Sequence, residues 1–72
     1  MKSGLLWYDR SLDYIEIKIE KAAQRYQDKY GKMPNVAFVN PQDFSTAKVK
    51  NIRVQPKATI MPNHIWIGMS NQ

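Results

Sequence analysis

His64 is the only histidine of the chain, and it stands two residues before Trp66 in "MPNHIWIGMS" (61–70). Histidine changes charge near neutral pH, so it is the first residue to consider as a general base. In that role it needs a serine within hydrogen-bond reach and an acid such as Asp9 or Asp43 to orient its ring. No serine lies in a Gly-x-Ser-x-Gly turn. An enzyme with His64 as general base is therefore the third reading, and the chain is expected not to be an enzyme, with no catalytic residue.

Other chemistries fare no better. A zinc centre takes three or four nitrogen, sulfur or oxygen ligands. With one histidine and no cysteine, scattered carboxylates would have to supply the rest, so no metal and no cofactor are expected; two carboxylates suffice only for a transient magnesium. Asp13, Glu16 and Glu20 share one side of an expected helix, but Lys and Gln interleave with them as on a solvated face. Glycosidase chemistry needs two acids across a cleft, for which 72 residues leave little room. "EIK" (16–18) matches the acid-x-Lys half of a metal-dependent nuclease motif, a pattern common by chance. Gly4, Gly31 and Gly68 are isolated, so there is no phosphate loop.

Charge is unevenly distributed. The net charge is +5 at pH 7. All the acids lie between Asp9 and Asp43, and the stretch after Asp43 carries only Lys48, Lys50, Arg53 and Lys57. A basic half is compatible with nucleic acid or an acidic partner, although a solvated, solubilising surface is its commoner meaning. "MKSGLLWYDRS" is too short in apolar residues for a signal peptide, and no run approaches the ~18 residues of a membrane span. No membrane contact and a cytoplasmic location are expected, which the missing cysteines also fit.

The elements that would position these residues follow from periodicity. "GLLWY" (4–8) reads as a strand. "SLDYIEIKIEKAAQRYQDKYG" (11–31) places Leu12, Ile15, Ile19, Ala22, Tyr26 and Tyr30 on one helical arc, with Asp9 or Ser11 as N-cap and Gly31 as C-cap. "YIEIKIE" also alternates like a strand, so a short hairpin with a helix from about Ile19 competes. "NVAFVN" (35–40) is an apolar strand buried on both faces. "NPQDF" is a helical turn capped by Asn40, with Phe44 plugging the core. "VKNIRVQP" (49–56) is a strand ended by Pro56, and "HIWIG" (64–68) is the last strand, with Ile65 and Ile67 on one face and His64 and Trp66 on the other.

One domain over 1–72 follows: an α/β fold bordering on α+β, with a mixed sheet of about four strands in the order β-α-β-(short turn)-β-β. The helix crossover makes the strands at 4–8 and 35–39 parallel. A single long helix packs on one sheet face and cannot cover the other. His64, Trp66, Arg53, Gln55 and one of Trp7 or Tyr8, taken as Trp7, are expected on that uncovered face. Aromatics with an arginine suit either a protein hot spot or a base-stacking platform. A small domain with such a face most often dimerises or docks on a partner, so a homodimerising or protein-interaction module is the first reading. The second is an accessory nucleic-acid-binding protein that uses Lys18, Lys21, Arg25 and Lys29 along a helix edge with Lys48 and Lys50; the ordinary meaning of such an edge is lysine stems lying over the core.

"KYGKMPNVAFVNP" (29–41) and "IMPNHIWIG" (60–68) together resemble a pattern in small prokaryotic proteins to which no activity is attached. In these a helix ends in Tyr-Gly, a Pro-Asn-led strand follows, and a His-x-Trp strand closes the chain. The resemblance extends from Leu5 to Gly68; it implies a self-contained domain and adds no site residue.

Overall fold

The computed structural model describes residues 4–45 and 48–70. Its elements are β1 (Gly4–Tyr8), α1 (Ile15–Tyr30), β2 (Val36–Val39), β3 (Arg53–Pro56) and β4 (His64–Gly68). The strands form one mixed sheet in the order β1-β4-β2-β3. β4 is antiparallel to both β1 and β2, and β3 is parallel to β2. β1 and β2 therefore run in the same direction, as the helix crossover requires, but the last strand is inserted between them. This is a small α/β fold with one helix on one face of the sheet.

The helix forms where its apolar arc can be buried. Ile19, Ala22, Ala23 and Tyr26 are buried and pack with Ala37, Val39, Ile65 and Ile67 of the sheet. Ile17 lies off this arc and is 39% exposed; it is helical, so the competing hairpin does not form. α1 lies over β4 and β1. Towards β2 and β3 the core is closed by Val49 and Ile52 of the preceding turn.

The helix begins later than its pattern suggests. Neither Asp9 nor Ser11 is the cap; Tyr14 holds that position with no side-chain bond. Asp9 Oδ1 accepts from the Ser11 N–H at 2.9 Å, and Ser11 Oγ accepts from the Asp13 N–H at 3.4 Å. These local bonds favour a bend over a helical turn, and they leave Leu12, expected on the core arc, fully exposed. Tyr30, the last residue of the expected arc, is also exposed.

Gly31 ends the helix with φ 73°, donating its N–H to the Gln27 carbonyl at 2.7 Å. A Cβ there would meet nothing within 4 Å, so only the backbone conformation selects glycine. Gly31→Ala is therefore expected to lower stability by about 1 kcal/mol, and Gly31→Asn by less, as read from urea unfolding midpoints.

Two expectations fail further along. The strand does not span 49–56: Asn51 adopts φ 66°, Ile52 donates its N–H to the Val49 carbonyl at 3.1 Å, and this turn delays β3 until Arg53. Phe44 does not plug the core. It is 37% exposed and lines an open groove of about 350 Å³ with Lys48, Val49, Ile52 and Val54. The 41–43 turn itself forms as read, with Asn40 Oδ1 accepting from the Gln42 N–H at 2.8 Å.

Asparagines next to prolines hold the fold together. Asn35 accepts from the Ser70 N–H at 2.7 Å and donates to the Ser70 carbonyl at 3.1 Å. Asn40 donates to the Ile60 carbonyl at 2.7 Å. Asn63 takes φ 65°, and its N–H reaches Asp43 Oδ2 at 2.8 Å.

Candidate functional site

The candidate site is built by strand alternation. In register, Leu5, Ile67, Ala37 and Val54 form one rung, and Trp7, Ile65, Val39 and Pro56 form another. Side chains from these rungs supply the cluster against the helix. Successive strand residues point to opposite faces, so the rungs between them face away from α1. These contain Leu6, Trp66, Phe38 and Gln55 in one row, Tyr8 beside His64 in the next, and Arg53 at the end of the row through Val36, Gly68 and Gly4. No helix or strand among the described residues lies over them.

The rings on this face meet in pairs. Phe38 and Trp66 have centroids 5.6 Å apart, and Tyr8 and His64 have centroids 4.8 Å apart, both tilted. The Lys57 ammonium lies 5.0 Å from the Phe38 centroid. Leu6 and Tyr8 are 59% and 53% exposed. The Trp66 indole crosses the backbone of Gly4 so closely that a Cβ added there would overlap it. Gly4 thus gives the indole its seat, a role that its isolation in the sequence did not suggest. No strand position pointing to this face carries Asp or Glu.

Of the residues expected on the uncovered face, His64, Trp66, Arg53 and Gln55 are there and Trp7 is not. The pairing of Trp7 with Ile65 turns the indole to the helix side, where the Arg25 guanidinium lies 6.0 Å from its ring centroid. Leu6 and Tyr8 take its place. "GLLWY" has no charged residue to mark its outward side, so only the register with β4 decides the matter. Trp7 Nε1 is buried with no hydrogen-bond partner among the described residues. An unmet buried donor is costly, which offsets part of the packing lost when Trp7, set against the core, becomes Phe, so Trp7→Phe is expected to lower the thermal midpoint by no more than a few degrees; a larger fall would contradict this balance.

His64 lines a small cavity with Asp9 and Asp43, but its ring bond goes to the backbone. Its Nδ1–H donates to the Pro62 carbonyl at 2.9 Å, which leaves Nε2 as the free ring nitrogen. No serine or carboxylate bonds to it among the described residues. Asp43 accepts from Asn63 instead. Asp9 is held below its ordinary pKa by the Ser11 N–H and hydroxyl, with Lys18 and Lys21 adding to the effect. A depressed carboxylate stabilises the fold above pH 3.8, and this contribution is lost as pH falls through its folded value. The described residues contain no group of three or more His, Cys, Asp or Glu able to hold a metal ion, and no helix among them is long and apolar enough to cross a membrane.

The basic residues do not form one track. Arg25 and Lys29 border β1, sharing a groove with Leu5 and Asp28, and Lys18 lies beside Asp9 and Ile15. Lys21 is paired with Asp13 at 3.0 Å, which raises its pKa; being exposed, the pair adds little stability. Lys48 and Lys50 sit around the 49–52 turn beside β3, Lys50 in a groove with Glu20. β1 and β3 are opposite edges of the sheet, so the fold separates the two basic sets.

Comparison with family models, with curated proteins and with solved structures finds no match to this chain.

Proposed function

We propose that this protein is a small interaction module whose working surface is the uncovered face of its sheet, and that it acts by docking another macromolecule there. One observation carries the reading. Leu6, Trp66 and Phe38 form a continuous apolar row across three strands, on the side that no helix or strand among the described residues covers. Apolar surface held open in this way costs solvation without serving the core. His64 lies against the Tyr8 ring and makes no hydrogen bond to Asp9 or Asp43 among the described residues, which favours a contact role over catalysis, and a cytoplasmic setting suits a cysteine-free chain.

The test places a photo-crosslinking side chain at Gln55, on this face, and at Gln24, on the outer side of the helix, in cells that carry the protein. An adduct from position 55 and none from position 24 is the expected result. Equal labelling, or none at 55, would reject the reading.

Self-association is a second reading, favoured by the edges of the sheet. Asp9 donates its N–H to the Asn63 carbonyl at 2.9 Å, so antiparallel alternation turns the backbone groups of Leu6 and Tyr8 outwards from β1. On β3 the outward positions are Val54 and Pro56, because Arg53 and Lys57 donate towards β2 and its flanks. Pro56 has no N–H to offer, which guards that edge; β1 carries no such guard. Pairing of β1 with its copy about a two-fold axis at Leu6 would leave the sheet face open for its ligand.

Lys18, Arg25 and Lys29 border the same edge, so this dimer is expected to strengthen with added salt and to be abolished by Leu6→Pro. Sedimentation equilibrium checks both; a monomer at every concentration and salt level would remove this reading.

A further inference from the structure

We infer that the occupant of the uncovered face is single-stranded nucleic acid, with bases stacked on Phe38 and Trp66 and phosphates met by Arg53 and Lys57. This rests on the reading of that face as the binding surface.

Three observations choose this occupant. First, four aromatic rings lie on the face, Tyr8 exposed and Phe38, His64 and Trp66 half-buried, and they stand in adjacent pairs at 5.6 and 4.8 Å rather than singly. Every base has a π face, so such a platform holds successive bases with little regard to sequence. A base already stacked within a duplex cannot lie on it, which selects unpaired strands.

Second, the charge has one sign. Arg53 belongs to β3 and Lys57 directly follows it, and Lys57 reaches back over the Phe38 ring. Cations therefore border the rings along one side, where a phosphate backbone can run while its bases turn towards Phe38 and Trp66. No strand position on the face carries an acid to oppose a phosphate, and the chain as a whole carries +5.

Third, the same charge argues against a second copy packed face to face. It would bring the same Arg53 and Lys57 with no carboxylate from the strand positions of the face to meet them, and like charges brought together at an interface are unfavourable. The second basic set, on the helix edge, lies on the far side of the sheet from this platform and plays no part.

The test is a fluorescence anisotropy titration with labelled ten-nucleotide oligothymidylate, ten-nucleotide oligouridylate and a ten-base-pair duplex, each at low and raised salt. Single strands are expected to bind more tightly than duplex, with log affinity falling against log salt at a slope of about −1.4 for two phosphate contacts. Phe38→Leu, which keeps an apolar side chain in the sheet, is expected to weaken single-strand binding by at least about 5-fold. Lys57→Gln is expected to reduce the slope by about 0.7.

Duplex binding equal to or tighter than single-strand binding, or unchanged binding by Phe38→Leu, would overturn the inference. So would failure of both single strands at the lowest salt. In that last case the crosslink at position 55 separates the two claims: a protease-sensitive, nuclease-resistant adduct there keeps the binding face and assigns it to a protein, while no adduct removes the face as well.

Discussion

Ile67→Ala is expected to destabilise the protein by about 2–5 kcal/mol, out of the roughly 4–11 kcal/mol that a chain of this length possesses in total. Ile67 is fully buried. It pairs with Leu5 on one side and Ala37 on the other, and it belongs to the cluster beneath α1. The strand that carries it joins β1 to β2, so a cavity at this point loosens both halves of the sheet. Rigid flanking strands give the site little freedom to collapse, which places the cost well above that of simple transfer. Urea unfolding followed by circular dichroism measures it, with Leu6→Thr as the contrast. Leu6 lies on the adjacent strand but faces away from the helix, and its replacement is expected to change stability by less than about 0.5 kcal/mol. Equal effects at the two positions would mean that the face opposite the helix is part of the core.

Gly4→Ala is expected to dislodge Trp66 and to cost single-strand affinity about ten-fold, in line with the loss of one stacked base. Alanine in a strand is ordinarily no worse than glycine. Here the added methyl overlaps the indole, and the side chain, being at the surface, yields before the backbone does. The fold therefore survives while the platform loses its largest ring. The Trp7→Phe background makes Trp66 the sole tryptophan, so its emission reports the displacement directly: a red shift on Gly4→Ala with an unchanged far-ultraviolet spectrum. An unshifted emission would show that the indole does not lie over Gly4.

Much of this arrangement can be read in the sequence, and the parts that cannot share a cause. Spacing of Ile15, Ile19, Ala22 and Tyr26 marks the buried helix face because local geometry alone sets that period. Gly31 is legible as a cap because few other residues adopt its conformation. Alternation in "HIWIG" separates Ile65 and Ile67 from His64 and Trp66, and counting one helix against four strands leaves one sheet face without a helix among the described residues. What is not legible depends on partners distant in sequence. Trp7 and Tyr8 exchange roles according to the register of β1 on β4. The insertion of β4 between β1 and β2 has no local signature. The expected helix cap at Asp9 or Ser11 fails because those side chains bond to the backbone two residues onward, in a bend. The expected strand from 49 fails because Asn51 takes a left-handed conformation, which asparagine tolerates but does not announce. The distance between the basic helix edge and the basic residues around the 49–52 turn is likewise not legible; the fold sets them at opposite sheet edges.

The residues behind the Tyr-Gly, Pro-Asn and His-x-Trp pattern are similarly instructive. Gly31 caps, Asn35 clasps the chain near Ser70, and Asn63 makes the turn into β4. Most of that pattern is occupied in holding the fold, and Trp66 is the member left facing outwards.

The central claim is that the bare sheet face, and not the basic helix edge, receives the ligand. Backbone amide and indole shift mapping of labelled protein during addition of a single-stranded oligonucleotide tests this most directly. The account predicts perturbations at Leu6, Tyr8, Phe38, Gln55 and the Trp66 indole, with Lys18, Lys21, Arg25 and Lys29 silent. Perturbations along those helix positions with a silent sheet face would contradict it.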